Sequence, residues 1–335
     1  MLRNLLKALG LSLAFSVLGM ALVFWLGGLR LSQLAQLREL PLTALLAALT
    51  ALLASLILAA LRLQLLCRRF GLRLHFAHAL RTHVLGVFSA AATPGGSGSA
   101  PAIALSLNHH GLSGSQAWAT AIVLFVADAL FLSWSLPIAL IILRRLELYP
   151  TTLLANLLAL LAVGVTALAT FVLTYKLEWL TPFFRLITRG PLVRLRRNLL
   201  RFADSLLDSS RVFRGAGWRH HVLVQIWTAL SWFAYFSVLV FAAWGLGIPV
   251  NFVAAQAWQL AVTTLSFAVP TPGGSGFFEF GTSVLLLGKG NDEVVPAALL
   301  VYRSLTYYLF FLLGPLLGGF VFLEHLQTRA ESDEG

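Results

Sequence analysis

Long apolar runs separated by short polar breaks fill this chain from end to end. Runs at Leu11–Leu26, Leu42–Leu66, Thr120–Leu143, Thr151–Thr174, Val222–Trp244 and Val294–Leu323 are each long enough, or nearly so, to cross a bilayer as a helix. Two further segments are interrupted. Phe76–Ala92 is followed by a break and then Ala100–Leu107, and Phe252–Ala268 by a break and then Phe277–Leu287. The pieces after the breaks reach only about 12 and 16 Å, against a hydrocarbon core of about 30 Å. The pattern predicts an all-α, polytopic transmembrane helical bundle. Its two interrupted segments read as re-entrant helical hairpins.

The break is the same string twice: TPGGSG at Thr93–Gly98 and again at Thr271–Gly276. Pro94 and Pro272 end a helix, because proline has no amide hydrogen and restricts the residue before it. The glycines admit left-handed dihedrals and close backbone approach. The short helix that follows begins with unpaired amides, a positive end suited to an anion. A lone PGG is ordinarily a turn, but an identical second copy in an apolar setting is the pattern of interrupted helices at a transport site. No GxxxxGK[ST] string accompanies either copy, which argues against a nucleotide P-loop.

Only one stretch is polar at length. Leu192, Leu195, Leu199, Phe202, Leu206 and Phe213 recur at helical steps, with Arg194, Arg197, Arg201, Asp204, Asp208 and Arg211 between them. This is an amphipathic helix near 192–215 with a basic face, suited to an anionic leaflet, and it also serves as a linker between halves. The chain is one integral membrane domain over 1–335, with pseudo-halves 1–150 and 151–335.

Composition agrees: the chain is 59% hydrophobic and 11% charged, with mean hydropathy +0.85, leaving no room for a soluble domain of ordinary size. The single Cys67 excludes an internal disulfide. The net charge of +11 reflects orientation and lipid contact here, not nucleic acid. With the N-terminus inside and both hairpins re-entrant, most of the 24 Lys and Arg fall on the inner side. Arg30, Arg38, Arg144, Arg145 and Lys289 fall outside, and Arg303 lies within the membrane. The positive-inside rule then places both termini and the basic helix in the cytoplasm. One hairpin enters from each side, so the two motifs sit in units of opposite orientation, an inverted-repeat-like arrangement.

Asp128, Glu279 and Arg303 are the ionisable residues this reading places in the membrane, where such groups are costly and functional by default. Glu279 falls in the first turn after the second motif, where a carboxylate suits the helix end. Arg303 pairs with Glu279 or Asp128 as a tether, or holds a phosphate together with the helix amides. In the second case the carboxylates meet a cationic headgroup or carry a proton. The substrate-binding candidates are Thr93, Gly95, Gly96, Ser97, Asp128, Thr271, Gly273, Gly274, Ser275, Glu279 and Arg303. His83, His109 and His110 lack the partners and spacing of a metal site, and no metal or cofactor is expected.

The stretch PTPGGSGFFEFG followed by VYRSLTYYL resembles the transmembrane, flippase-like region of lysylphosphatidylglycerol synthases and the related stand-alone membrane proteins of the UPF0104 group. The likeness extends over nearly the whole chain. It departs at the first motif, where Ser99, Ala100 and Pro101 stand in place of a charged residue. The family's larger members carry a soluble aminoacyl-transfer domain, and this chain stops at Gly335, so the resemblance implies translocation without synthesis. The expected function is an inner-membrane lipid translocase, not an enzyme. It would move a phospholipid, an aminoacyl-phospholipid or a polyprenyl- or hopanoid-type lipid. A secondary transporter of a small anion and an integral-membrane enzyme acting on a lipid phosphate stand as alternatives. Expected partners are the lipid substrate, anionic phospholipid at the cytoplasmic surface, and either a second copy of the chain or a separate lipid-modifying enzyme.

Overall fold

The structure is a computed structural model that describes residues 40–93, 95–148, 215–267, 273–289 and 292–317, with a few isolated positions besides. The run read at Leu11–Leu26, that at Thr151–Thr174 except for Leu160, Leu161, Gly164 and Leu168, the arginines Arg194, Arg197 and Arg201 and the C-terminal tail lie outside the described residues. Within them every regular element is a helix. In chain order these are α1 (Leu42–Cys67), α2 (Phe76–Ala92), α3 (Ser99–His109), α4 (Gly114–Arg145), α5 (Trp218–Gly245), α6 (Phe252–Ser266), α7 (Phe277–Leu286) and α8 (Asp292–Leu317). Four of them, α1, α4, α5 and α8, are long and apolar enough to cross a membrane.

Local sequence sets the ends. Ser113 and Gln116 form a capping box at the start of α4, satisfying two amides that the helix leaves unpaired. The Asn251 side chain accepts from the Ala254 amide to open α6. The first arm, α2, ends at Ala92 where its TPGGSG string begins, whereas α6 ends at Ser266, two residues short of the expected Ala268 and with four residues left before the second string. α8 contains one turn of π-helix, Ser304–Tyr308, directly after Arg303, an irregularity that the apolar pattern gave no sign of.

The centre of the bundle is an antiparallel seam between α1 and α5. Ser55 meets Ser231 (Oγ···Oγ 3.3 Å), Arg62 meets Thr228, and a Cβ on Gly245 would run into Ala44. Small residues on α1 (Ala48, Ala51, Ser55, Ala59) are buried along it, the kind of face that lets helices approach closely.

Each short pair folds back on itself. Thr82 and Ser106 share a hydrogen bond of 2.7 Å and the His78 and His110 rings stack at 4.3 Å, so α2 begins and α3 ends at the same end of the bundle. Likewise the Trp258 indole donates to the Gly281 carbonyl at 2.6 Å, pairing α6 with α7. The first hairpin follows the C-terminal end of α1 and the second follows that of α5. Because α1 and α5 run antiparallel, the two hairpins arise from opposite ends. Their tips meet: a Cβ on Gly95 would touch the Phe267 carbonyl at 3.5 Å, and the Tyr307 hydroxyl donates to the Ala91 carbonyl at 3.1 Å.

Candidate functional site

The two copies of the motif fold differently at their last glycine. In both, the paired glycines adopt left-handed dihedrals, with φ of 58° and 71° at Gly95 and Gly96 and 58° and 64° at Gly273 and Gly274. Gly98 then stays right-handed at φ −74°, whereas Gly276 is left-handed at φ 86°. The reason is the group that caps the next helix. At the first copy the Thr93 hydroxyl accepts from the Gly98 amide at 2.7 Å and donates to the Ser89 carbonyl. At the second, Glu279 reaches back and its Oε2 accepts from the Gly276 amide at 2.7 Å, while Thr271 donates to the Ser275 carbonyl. The first copy therefore closes on itself with a neutral side chain, and the second draws in a carboxylate.

That carboxylate is half of a buried ion pair. Arg303 Nε donates to Glu279 Oε1 at 2.6 Å, and the residues are 4% and 6% exposed. Nη2 lies beside the same oxygen without hydrogen-bond alignment, so its protons have no aligned acceptor. Two rings sandwich the guanidinium, Phe278 at 4.7 Å and Tyr307 at 4.9 Å. Cation–π contacts of this kind contribute about 2 kcal/mol each when desolvated. Tyr307 also explains Gly273: a Cβ there would enter its ring. Arg303, Glu279, Gly273 and the end of α2 thus form one cluster at the meeting point of the hairpins.

Asp128 is not part of it. The two carboxylates weighed as partners of Arg303 are separated, and Asp128 pairs instead with Arg62, which the charge count had placed at the inner surface. Arg62 lies in α1, 4% exposed. Its Nη1 and Nη2 donate to Asp128 Oδ1 and Oδ2 at 2.6 and 3.2 Å, and Nη1 donates to Thr228 Oγ1 at 2.8 Å. The Trp232 indole adds a third donor to Asp128 at 3.0 Å. This forked geometry fixes α1, α4 and α5 together. Arg62 was missed because it stands six residues before Arg68 and Arg69 and reads as the end of a span. Its position seven residues after Ser55, on the small-residue face, is the signal that places it in the seam.

Of the remaining candidates, Ser275 is 3% exposed beside the cluster, while Ser97 is exposed at the other tip. Among the described residues no group of three or more His, Cys, Asp or Glu is placed to hold a metal ion.

Comparison with known proteins places the chain among membrane proteins. A UPF0104 membrane protein of Archaeoglobus fulgidus is 22% identical over 259 residues, which covers 75% of this chain and 78% of the relative. The family model for the lysylphosphatidylglycerol synthase TM region matches residues 8–314. An all-helical membrane chain with this match over nearly its full length belongs to the family of the lysylphosphatidylglycerol synthase transmembrane region.

Proposed function

We propose that this protein moves a phosphate-bearing lipid between the leaflets of the cell's inner membrane. The observation that carries this reading is the Arg303 guanidinium. It is a permanent cation, buried where the tips of two opposed hairpins meet, with Nη2 lacking an aligned acceptor. A planar guanidinium suits a phosphate. In this reading the hairpins are re-entrant. Their arms have 17, 11, 15 and 10 residues, or about 15–26 Å, short of the roughly 30 Å core. Irregular backbone at that depth is tolerated where it lines a protein-enclosed path. The two inverted units rock about the α1–α5 seam and expose the tips to either side. Arg303 and the glycine amides receive the phosphate, and Glu279 holds the guanidinium between visits or meets a cationic headgroup. The termini and the 192–215 helix face the cytoplasm.

The test is lipid flipping in proteoliposomes with fluorescent phosphatidylglycerol, alongside the thermal stability of each purified variant. Arg303→Ala is expected to fold and to flip about tenfold more slowly or worse, since one charge-assisted hydrogen bond contributes about 1.5–3 kcal/mol. Normal flipping by Arg303→Ala, or by the exchanged pair Arg303→Glu with Glu279→Arg, reduces the ion pair to a tether and ends this reading. The enclosure of Arg303 also favours a second reading, carriage of a small inorganic anion, which needs no lateral opening to lipid. Uptake of radiolabelled phosphate without lipid flipping in the same vesicles selects that reading.

A further inference from the structure

On the side of α4 that faces α6, away from both ion pairs, lies an apolar groove of about 180 Å³. Phe131, Ile138 and Ile142 of α4, Phe236 of α5, and Val253 and Leu260 of α6 line it. From Phe131 to Ile142 it runs about 16 Å along the helix, close to half of the hydrocarbon core. Its inner end is closed by Phe131 and Phe236, both 2% exposed. Its flank is open, with Ile138 50% and Val253 52% exposed. Arg145 continues the same stripe: Ile138, Ile142 and Arg145 follow at steps of four and three, so they share one helix face. Arg145 is exposed at the mouth, with Arg144 beside it and Glu147 two residues on, leaving a net positive charge there. The first amides of α6, at Phe252 and Val253, open at the same end.

We infer that this groove holds one acyl chain of an anionic phospholipid whose phosphate docks on Arg145. In a chain that spans a membrane, a slot open on its flank faces hydrocarbon, and a run of about 16 Å closed at its inner end suits a linear acyl chain rather than a helix about 10–12 Å across with its side chains. The cation at the mouth distinguishes anionic from zwitterionic lipid, because one Arg near a surface of anionic headgroups changes binding about fivefold. The site belongs to the end of the bundle where the second hairpin is rooted, opposite the end that carries Arg68, Arg69 and Arg73. It stands apart from the transport reading, since none of its residues touches Arg303 or Glu279.

Native mass spectrometry of the full chain, offered phosphatidylglycerol or phosphatidylcholine with matched acyl chains, tests it. The wild type is expected to retain phosphatidylglycerol about fivefold better. Arg145→Gln is expected to abolish the preference while leaving both lipids bound. Val253→Trp, an exposed position whose larger side chain overhangs the slot, is expected to release both. Unchanged preference in Arg145→Gln, or unchanged retention of both lipids in Val253→Trp, overturns the site. Ready disulfide formation between Ile138→Cys and a cysteine scanned through 151–174 also overturns it, by showing that the chain's own segment fills the groove.

Discussion

Replacing Glu279 with Gln removes one charge and little else. Gln keeps an oxygen that can accept from the Gly276 amide, so the cap on α7, worth about 1 kcal/mol, is retained. The Arg303 side chain then stays buried at 4% exposure without a counter-charge. Breaking a buried pair in this way costs about 3–5 kcal/mol, because the surviving charge has lost its compensation. Spread over a chain of this size, that is a fall of roughly 4–7 °C in the unfolding midpoint. Asp128→Asn provides the contrast. Arg62 is then left as buried as Arg303, at 4% exposure, but it keeps the Thr228 hydroxyl as an acceptor and faces a side chain that is 28% open to solvent, so the expected cost is smaller, about 1–3 kcal/mol. The double variant Glu279→Gln with Arg303→Met removes both charges and should recover most of the loss, since a buried pair is often replaceable by apolar groups at little net cost. The assay is thermal unfolding in one detergent, followed by tryptophan fluorescence. Equal midpoint shifts for Glu279→Gln and Asp128→Asn, or additive losses in the double variant, refute the reasoning.

Gly273→Ala forces a left-handed residue at φ 58° and drives a methyl into the Tyr307 ring, so it should lose about 1–3 kcal/mol. Gly71→Ala, equally left-handed at φ 79° but in open space, should lose about 1 kcal/mol, and equal midpoints for the two would show that Tyr307 does not press on the turn. Cysteines at Ser97 and Ser275 should react with a small membrane-permeant thiol reagent at different rates, faster at the exposed first tip and slower at the buried second; equal rates would contradict the asymmetry of the two motifs. Ser55→Cys with Ser231→Cys should crosslink under mild oxidation, because the two hydroxyls lie 3.3 Å apart, and failure to crosslink would displace the α1–α5 seam.

Much of this architecture is legible in the sequence because proline and glycine punctuate it. Phe76–Ala92 is bounded by the polar run before it and Pro94 after it, and the observed helix matches it residue for residue. Phe277–Leu287 ends one residue early for the same kind of reason, at Gly288. Glu279 and Arg303 stand out because few charges lie in their apolar surroundings. Arg62 did not, since periodicity reports which face of a helix is apolar but not how far a bundle wraps over that helix's end. Its burial depends on α4 and α5, more than 60 residues away in the sequence. The π-turn after Arg303 likewise sits where Tyr302 stacks on Phe278 and the Tyr307 hydroxyl reaches the Ala91 carbonyl at the tip of the first hairpin, contacts that no local spacing encodes. The departure at Ser99, Ala100 and Pro101 was visible in the sequence. Its meaning, a threonine doing the capping that a carboxylate does in the other copy, needed the hydrogen bonds.

The two buried ion pairs have an electrical consequence. Each couples one cation to one anion at short range, Arg62 to Asp128 and Arg303 to Glu279. A body that moves through the membrane carrying such a pair transports no net charge. Work against the transmembrane potential, about 2.3 kcal/mol per charge per 100 mV, is therefore close to zero for displacement of these two pairs. Under the transport reading proposed above, these two pairs add no voltage dependence to the empty carrier, and a dependence of turnover on membrane potential has to come from the cargo or from charges other than these four.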